Sequence, residues 1–226
     1  MRRTFANVAG VTIGVLAMLG LMAGPAVAAT GSPGAGDPYF PLQGNGGYDV
    51  SHYGLQLTYD TASRHLAGVA TIGATATETL QGFDLDLRRG LTVDEVLVDG
   101  VAAQFDQPAD LGQELVITPA RPVVRGKPFT VVVRYAGTPG AVTDPDGSIE
   151  GWVATEDGAF VVGEPQGSPS WFPCNDTPTD KATYDFEVTV PAGVTAVANG
   201  DLVSTSTANG WRTFRWHNGE PMATYL

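Results

Sequence analysis

The sequence holds 226 residues, with 12 Lys and Arg against 24 Asp and Glu, for a formal charge of −12. This surplus of acid excludes a phosphate-tracking surface, which depends on clustered Lys and Arg. A single cysteine, Cys174, excludes an internal disulfide framework, so the fold must rest on a hydrophobic core.

The first element in chain order is a targeting segment. Arg2 and Arg3 precede an apolar run from Val8 to Met22, and Pro25-Ala26-Val27-Ala28 then offers small residues to a signal peptidase. The run is shorter than the about 20 apolar residues a membrane span needs. Residues 1–28 are therefore expected to be a cleaved signal peptide, with Ala29 as a second cleavage point and the product secreted, free of the membrane. Arg2-Arg3-Thr4-Phe5 also fits a twin-arginine signal, which leaves the export route open. Cleavage removes two arginines and no acid, moving the charge from −12 to −14.

Residues 29–47 are rich in Gly, Pro and Ala and are expected to form a flexible leader, ordered from about Tyr39. Beyond them the pattern alternates with period two. Tyr53, Leu55, Leu57 and Tyr59 share one strand face. After a turn at residues 60–64, Gly68, Ala70, Ile72, Ala74 and Ala76 share another. Phe83, Leu85 and Leu87 alternate with Asp84, Asp86 and Arg88. Further strands carry Phe129, Val131, Val133 and Tyr135, then Tyr184, Phe186, Val188 and Val190. Turn signals separate them: Asp99-Gly100, Arg125-Gly126, Asp146-Gly147, Asp157-Gly158, Asn199-Gly200 and Asn209-Gly210. No window carries a helical stripe of more than ten residues. The expected fold is all-β, a sandwich or curved sheet, with almost no helix.

Trp211, Phe214 and Trp216 predict a strand of large buried groups. Asn218-Gly219 then reads as a turn, and Met222 to Leu226 as the start of another apolar strand. A strand left unfinished at the C-terminus exposes an apolar edge, so the chain is expected to be a fragment of a longer protein. Asp144-Pro145-Asp146-Gly147 lacks the ligand count of a calcium loop and reads as a plain turn. His52, His65 and His217 lie in strand or turn contexts, and none belongs to a His-Glu-x-x-His pair. They are expected to be solvated or capping, and Cys174 to be a small buried hydrophobe.

The segment Trp171-Phe172-Pro173-Cys174-Asn175-Asp176, followed by Pro178 and Lys181-Ala182-Thr183-Tyr184, resembles the Phe-Pro-Cys-x-Asp-x-Pro … Lys-Ala-x-Phe/Tyr block of M1 (aminopeptidase N-like) zinc aminopeptidases. Val190-Pro191 and Ala196-Val197-Ala198-Asn199-Gly200 are similar to that family's next strand and turn. The resemblance spans residues 48–226 and implies the family's saddle-like N-terminal β-domain, with the zinc carried by a further domain. It implies that a residue just before the Phe-Pro segment binds the substrate's free α-amino group. Ungapped counting places that role on Glu164, with Gln166 as the alternative. The family's Gln-x-Glu-Pro reads Val162-Gly163-Glu164-Pro165 here, so the acid is kept and the upstream glutamine is lost. A carboxylate suits an ammonium because it answers three donors with charge-assisted hydrogen bonds. Asp176 is expected to brace the turn before Pro178, and Lys181 to lie on a solvated or interdomain face.

The implied activity is removal of N-terminal amino acids from peptides by a metallopeptidase (a hydrolase), with zinc in the complete enzyme. This chain alone is expected to be inactive and to bind no zinc tightly. Two other readings remain open. One is a stand-alone secreted β-domain that binds a peptide or protein. The other is an unrelated carbohydrate-binding sandwich with Trp152, Trp171, Trp211 and Trp216 as platforms.

Overall fold

A computed structural model of the chain describes residues 29–143 and 147–226. The expected signal peptide and most of the Asp144–Gly147 turn lie outside them. In chain order the strands are β1 (Ala29–Thr30), β2 (Tyr48–Asp60), β3 (His65–Ala76), β4 (Leu80–Asp86), β5 (Leu91–Val98), β6 (Val101–Ala102), β7 (Gln104–Asp106) and β8 (Glu114–Thr118). They continue with β9 (Pro128–Gly137), β10 (Ala141–Thr143), β11 (Ile149–Ala154), β12 (Ala159–Val162), β13 (Ala182–Pro191), β14 (Asp201–Ala208) and β15 (Trp211–Met222). The helical content among the described residues is two 3-10 turns, Ala109–Leu111 and Ser168–Ser170. The all-β expectation holds.

The strands form three sheets. The largest has the order β14-β15-β13-β2-β3-β9-β5-β6, a second has β1-β4-β8-β7, and a third has β10-β11-β12. The two-residue alternation of β2 explains its central place. Tyr53, Leu55, Leu57 and Tyr59 are all buried, and they meet the buried face of β3 across an antiparallel register. The second sheet packs on the first through aromatics. Phe83 of β4 stands edge-on to Tyr48 and Phe129, with centroids 5.7 and 5.5 Å away. Tyr53 stacks on Tyr184 at 5.0 Å and meets the edge of Phe172 at 5.7 Å, so the Phe-Pro-Cys segment closes over the core. Asn209-Gly210 makes the hairpin between β14 and β15 with φ of 53° and 79°, which these two residue types tolerate.

The acids of β4 are covered: Asp84 and Asp86 are buried along with Phe83 and Leu85. Alternation marks the two faces of a strand, and here the second face is covered by residues far away in sequence. Asn218-Gly219 is not a turn, and Met222 to Leu226 is not a new strand. β15 runs through Asn218-Gly219 to Met222 and absorbs the extra residues as an irregularity opposite Thr183, between the pairs Tyr184–Asn218 and Ala182–Met222. Ala223 to Leu226 then form a turn in which Ala223 and Thr224 are buried. Of the three aromatics on β15, Phe214 is buried, whereas Trp211 and Trp216 are half-buried.

Residues 29–47, expected as a leader ordered only from Tyr39, show the reverse pattern. Ala29 and Thr30 pair parallel with β4, and the Gly31 N–H donates to the Gly82 carbonyl at 2.9 Å. Asn45 is buried, while Tyr39 is 87% exposed.

Candidate amino-terminus-binding loop

The Phe-Pro-Cys-Asn-Asp segment is held by groups that its own sequence does not contain. Cys174 and Asp86 exchange backbone hydrogen bonds, 2.8 Å from the Asp86 N–H and 3.1 Å from the Cys174 N–H. The Asp86 side chain is 0% exposed and accepts three donors. Gln113 Nε2 reaches Oδ1 at 2.9 Å, while Asn45 Nδ2 and the Asp176 N–H reach Oδ2 at 3.2 and 2.8 Å. Asn175 takes the Asn45 N–H on its Oδ1 and gives its own N–H to the Tyr53 hydroxyl at 2.9 Å. Cys174 is fully buried and burial pushes its thiol well up, which makes it the expected inert hydrophobe.

Asp176 does not brace its own turn. Its Oδ1 accepts the Thr224 hydroxyl at 2.6 Å, and Ser168 Oγ donates to the Thr224 carbonyl at 2.7 Å. Together they clamp the C-terminal turn beneath the loop that precedes the motif. The turn before Pro178 is closed instead by the Thr177 N–H on the Asn175 carbonyl. Burial raises Asp176 to about 7, against the lowering effects of Thr224 and Arg88. Lys181 is exposed, as expected.

That loop runs from β12 to the Ser168–Ser170 turn and carries Glu164 and Gln166. Glu164 is exposed. Gln166 is half-buried and held from several sides. Its N–H donates to Glu150 Oε2 at 2.9 Å, its carbonyl accepts Arg88 Nη2 at 3.5 Å, and its side-chain oxygen accepts Gln43 Nε2. The loop closes with the Gly167 N–H on the Gly163 carbonyl at 2.8 Å. Gly163 and Ser168, on either side of Glu164, line a groove of about 780 Å³. Its apolar wall includes Tyr59, Trp152, Phe160, Trp171, Phe186 and Val188. Trp152 packs on Tyr59 at 4.9 Å and on Trp171 at 6.2 Å, so these two tryptophans are packing groups rather than open platforms.

Glycine is required at position 167. A Cβ there would stand 2.3 Å from the Val162 carbonyl oxygen and 2.5 Å from the Gly151 nitrogen, both backbone atoms. We expect Gly167→Ala to cost about 1–3 kcal/mol of folding stability through displacement of the loop, read as a fall in melting temperature. An unchanged melting temperature would mean that the loop shifts without strain.

The histidines lie elsewhere. His65 is exposed. His52 and His217 flank Asp185 on the outer face of the large sheet, with contacts of 3.5 and 2.7 Å. Among the described residues, no three His, Cys, Asp or Glu side chains are placed to hold one metal ion. Among the same residues no helix is long and apolar enough to cross a membrane.

The fold and the block at residues 164–186 point to one family, and comparison decides it. The family model described as Peptidase M1 N-terminal domain matches residues 49–226. The chain belongs to the M1 peptidase family. It is similar to a two-domain M1 zinc metallopeptidase bound to L-arginine, with a TM-score of 0.77 and 35% identity. That match covers 82% of this chain and 42% of the other. The M1 zinc metallopeptidase of Deinococcus radiodurans bound to a Tyr-Ser-Ala substrate gives a TM-score of 0.76 and 34% identity, with the same coverage. Leukotriene A-4 hydrolase of Xenopus laevis is 28% identical over 194 residues, 79% of this chain and 30% of that protein. This M1 chain therefore spans less than half the length of these relatives and corresponds to their N-terminal part.

Sequence reasoning placed Glu164 and Gln166 on one loop but missed what holds them: Gln43, Arg88, Glu150 and Asp86. An acid set in a strand of buried apolar residues was the one available signal, at Asp86. Gln43 carried no signal, because its partners lie 70 and 123 positions away.

Proposed function

We propose that this chain is the N-terminal β-domain of an exported zinc metallo-aminopeptidase and that Glu164 receives the α-ammonium of the peptide substrate. One observation carries the assignment within the loop. Glu164 stands exposed between two groove-lining residues, whereas the Gln166 side-chain oxygen is taken by Gln43. An ammonium needs acceptors, and Glu164 offers two charged ones. The solved relative with Tyr-Ser-Ala supports a peptide substrate. In the complete enzyme the zinc would polarise the scissile carbonyl and activate water from a domain beyond this chain. This domain's part is to bind, orient and select substrates with a free N-terminus. The apolar wall of the groove, with Phe160 53% and Val161 40% exposed, suits packing against that catalytic domain. Export rests on the residue pattern of positions 1–28.

The test is steady-state kinetics on the full-length gene product with an aminoacyl chromophore, with and without a chelator. Glu164→Ala should lower kcat/KM for free-amine substrates about 30- to 100-fold, as expected for a lost charge-assisted hydrogen bond. It should barely change turnover of an N-acetylated analogue. Equal effects on both substrates would remove Glu164 from the amino-terminus site. Chelator-sensitive turnover by the 226-residue chain alone would overturn the division of labour. A full-length product without any turnover would favour the alternative, a stand-alone secreted β-domain that binds a peptide or protein.

A further inference from the structure

A file of side-chain amides runs from the core into the Glu164–Gln166 loop. Gln113 Nε2 donates to Asp86 Oδ1 at 2.9 Å and to Gln43 Oε1 at 2.9 Å, and Gln43 Nε2 donates to Gln166 Oε1. The direction of this file follows from hydrogen-bond chemistry. A carboxylate offers acceptors, so Asp86 draws the NH2 end of Gln113 towards it. That NH2 faces the oxygen of Gln43 and so turns the Gln43 NH2 outward, onto the oxygen of Gln166. Amide ends are interchangeable in shape, but here each orientation is dictated by the one before it, and the first by a group that has no amide to flip.

We propose that Gln43 is a positioning residue for the amino-terminus site: acting through Gln166, it fixes where Glu164 presents its carboxylate. The inference rests on the reading of Glu164 given above. Gln166 is two residues from Glu164, and the residue between them is Pro165, whose ring restricts φ. A fixed Gln166 therefore leaves Glu164 little backbone freedom. The backbone of Gln166 is also tied to Glu150 and Arg88, so loss of the Gln43 contact leaves the path of the loop in place and loosens its aim. Gln43 lies in the stretch between Gly31 and Gly46 that crosses the acid face of β4. That stretch thus takes part in the site although 123 positions separate Gln43 from Gln166.

The test uses the full-length product and free-amine aminoacyl substrates, comparing wild type with Q43L, Q166L, Q43L/Q166L and E164A. Q43L should raise KM about five- to tenfold with kcat within about twofold, the pattern of a lost binding contribution. Because Gln43 acts through Gln166, the double variant should match Q166L alone. Q43M keeps the length of the side chain but offers Gln166 Oε1 no donor. It should raise KM as Q43L does, which keeps the proposal testable if the leucine variant folds poorly. An unchanged KM in Q43L and Q43M would overturn the proposal, as would penalties that multiply in the double variant. If E164A raises KM and the Gln43 variants do not, the positioning role alone falls. If E164A leaves KM unchanged, the reading of Glu164 falls first.

Discussion

Replacing Asp86 with alanine should remove at least about 3 kcal/mol of folding stability. The carboxylate is fully buried and accepts from Gln113 Nε2, Asn45 Nδ2 and the Asp176 N–H. Truncation leaves three buried donors without their acceptor, and each such loss costs about 1–3 kcal/mol. It also unties three parts of the chain from one another: the 31–46 segment, the start of β8 and the Pro-Cys-Asn-Asp stretch. Asp86→Asn keeps the volume and one oxygen. With that oxygen in place of Oδ2, Asn45 and Asp176 remain bonded and the new NH2 opposes that of Gln113. Its loss should therefore be smaller, about 1–2 kcal/mol. Urea unfolding gives the answer as a shift in midpoint at constant slope. An alanine variant within about 1 kcal/mol of wild type would mean that water replaces the carboxylate and that Asp86 is not the hub.

Stability should fall as the pH rises from 5 to 8. Burial raises Asp84 to about 6, Asp176 and Asp180 to about 7 and Glu114 to about 9. For Glu114 the neighbouring Asp86 and Asp84 add to the effect of burial. In the unfolded chain these acids titrate near 4. Between pH 4 and the folded values the native state therefore holds protons that the unfolded state has lost. Stability then decreases with pH at a slope set by the difference in bound protons. The contribution is fully present below about pH 4 and is lost as the pH climbs through 6 to 9. One group crossing two units alone accounts for about 2–3 kcal/mol. Because these carboxylates repel one another, their effects do not sum. The check is the urea midpoint at pH 5 and pH 8, with Asp176→Asn expected to flatten the dependence. A midpoint that is equal or higher at pH 8 would show that the carboxylates are ionised and solvated in the native state.

The legible parts of this chain are those whose information is local. The alternation in Tyr53–Tyr59 and in Phe129–Tyr135 reports a strand and its buried face without knowledge of any partner. Asn209-Gly210 reports a hairpin because its two residues need only their own φ values. The ordered Pro, Cys, Asp and Lys-Ala positions of 171–184 report the family. What escaped notice depends on who covers whom. The pattern Phe83 to Arg88 looks half-exposed until Asn45 and Asn175–Asp176 arrive over the acid face. Asn218-Gly219 looks like a turn until the pairing with β13 turns it into an irregularity within β15. Glu164 and Gln166 could be named from the motif, but only the hydrogen bonds that Gln166 accepts from Gln43 and Arg88 and donates to Glu150 distinguish the exposed acid from the tethered amide.

The parallel pairing of β2 with β13 also sets a timetable. His52 and Thr183 sit side by side in the finished sheet, yet 131 positions separate them. At about 5–20 residues per second, the ribosome needs roughly ten seconds to make the strand that covers this edge of β2. Until then Tyr53 has neither Tyr184 to stack on nor Phe172 against its ring. The largest sheet thus cannot close until the final fifth of the sequence has been synthesised. Contacts this distant make for slow folding, and a young chain that waits with an open β-edge is a natural client for a holding chaperone.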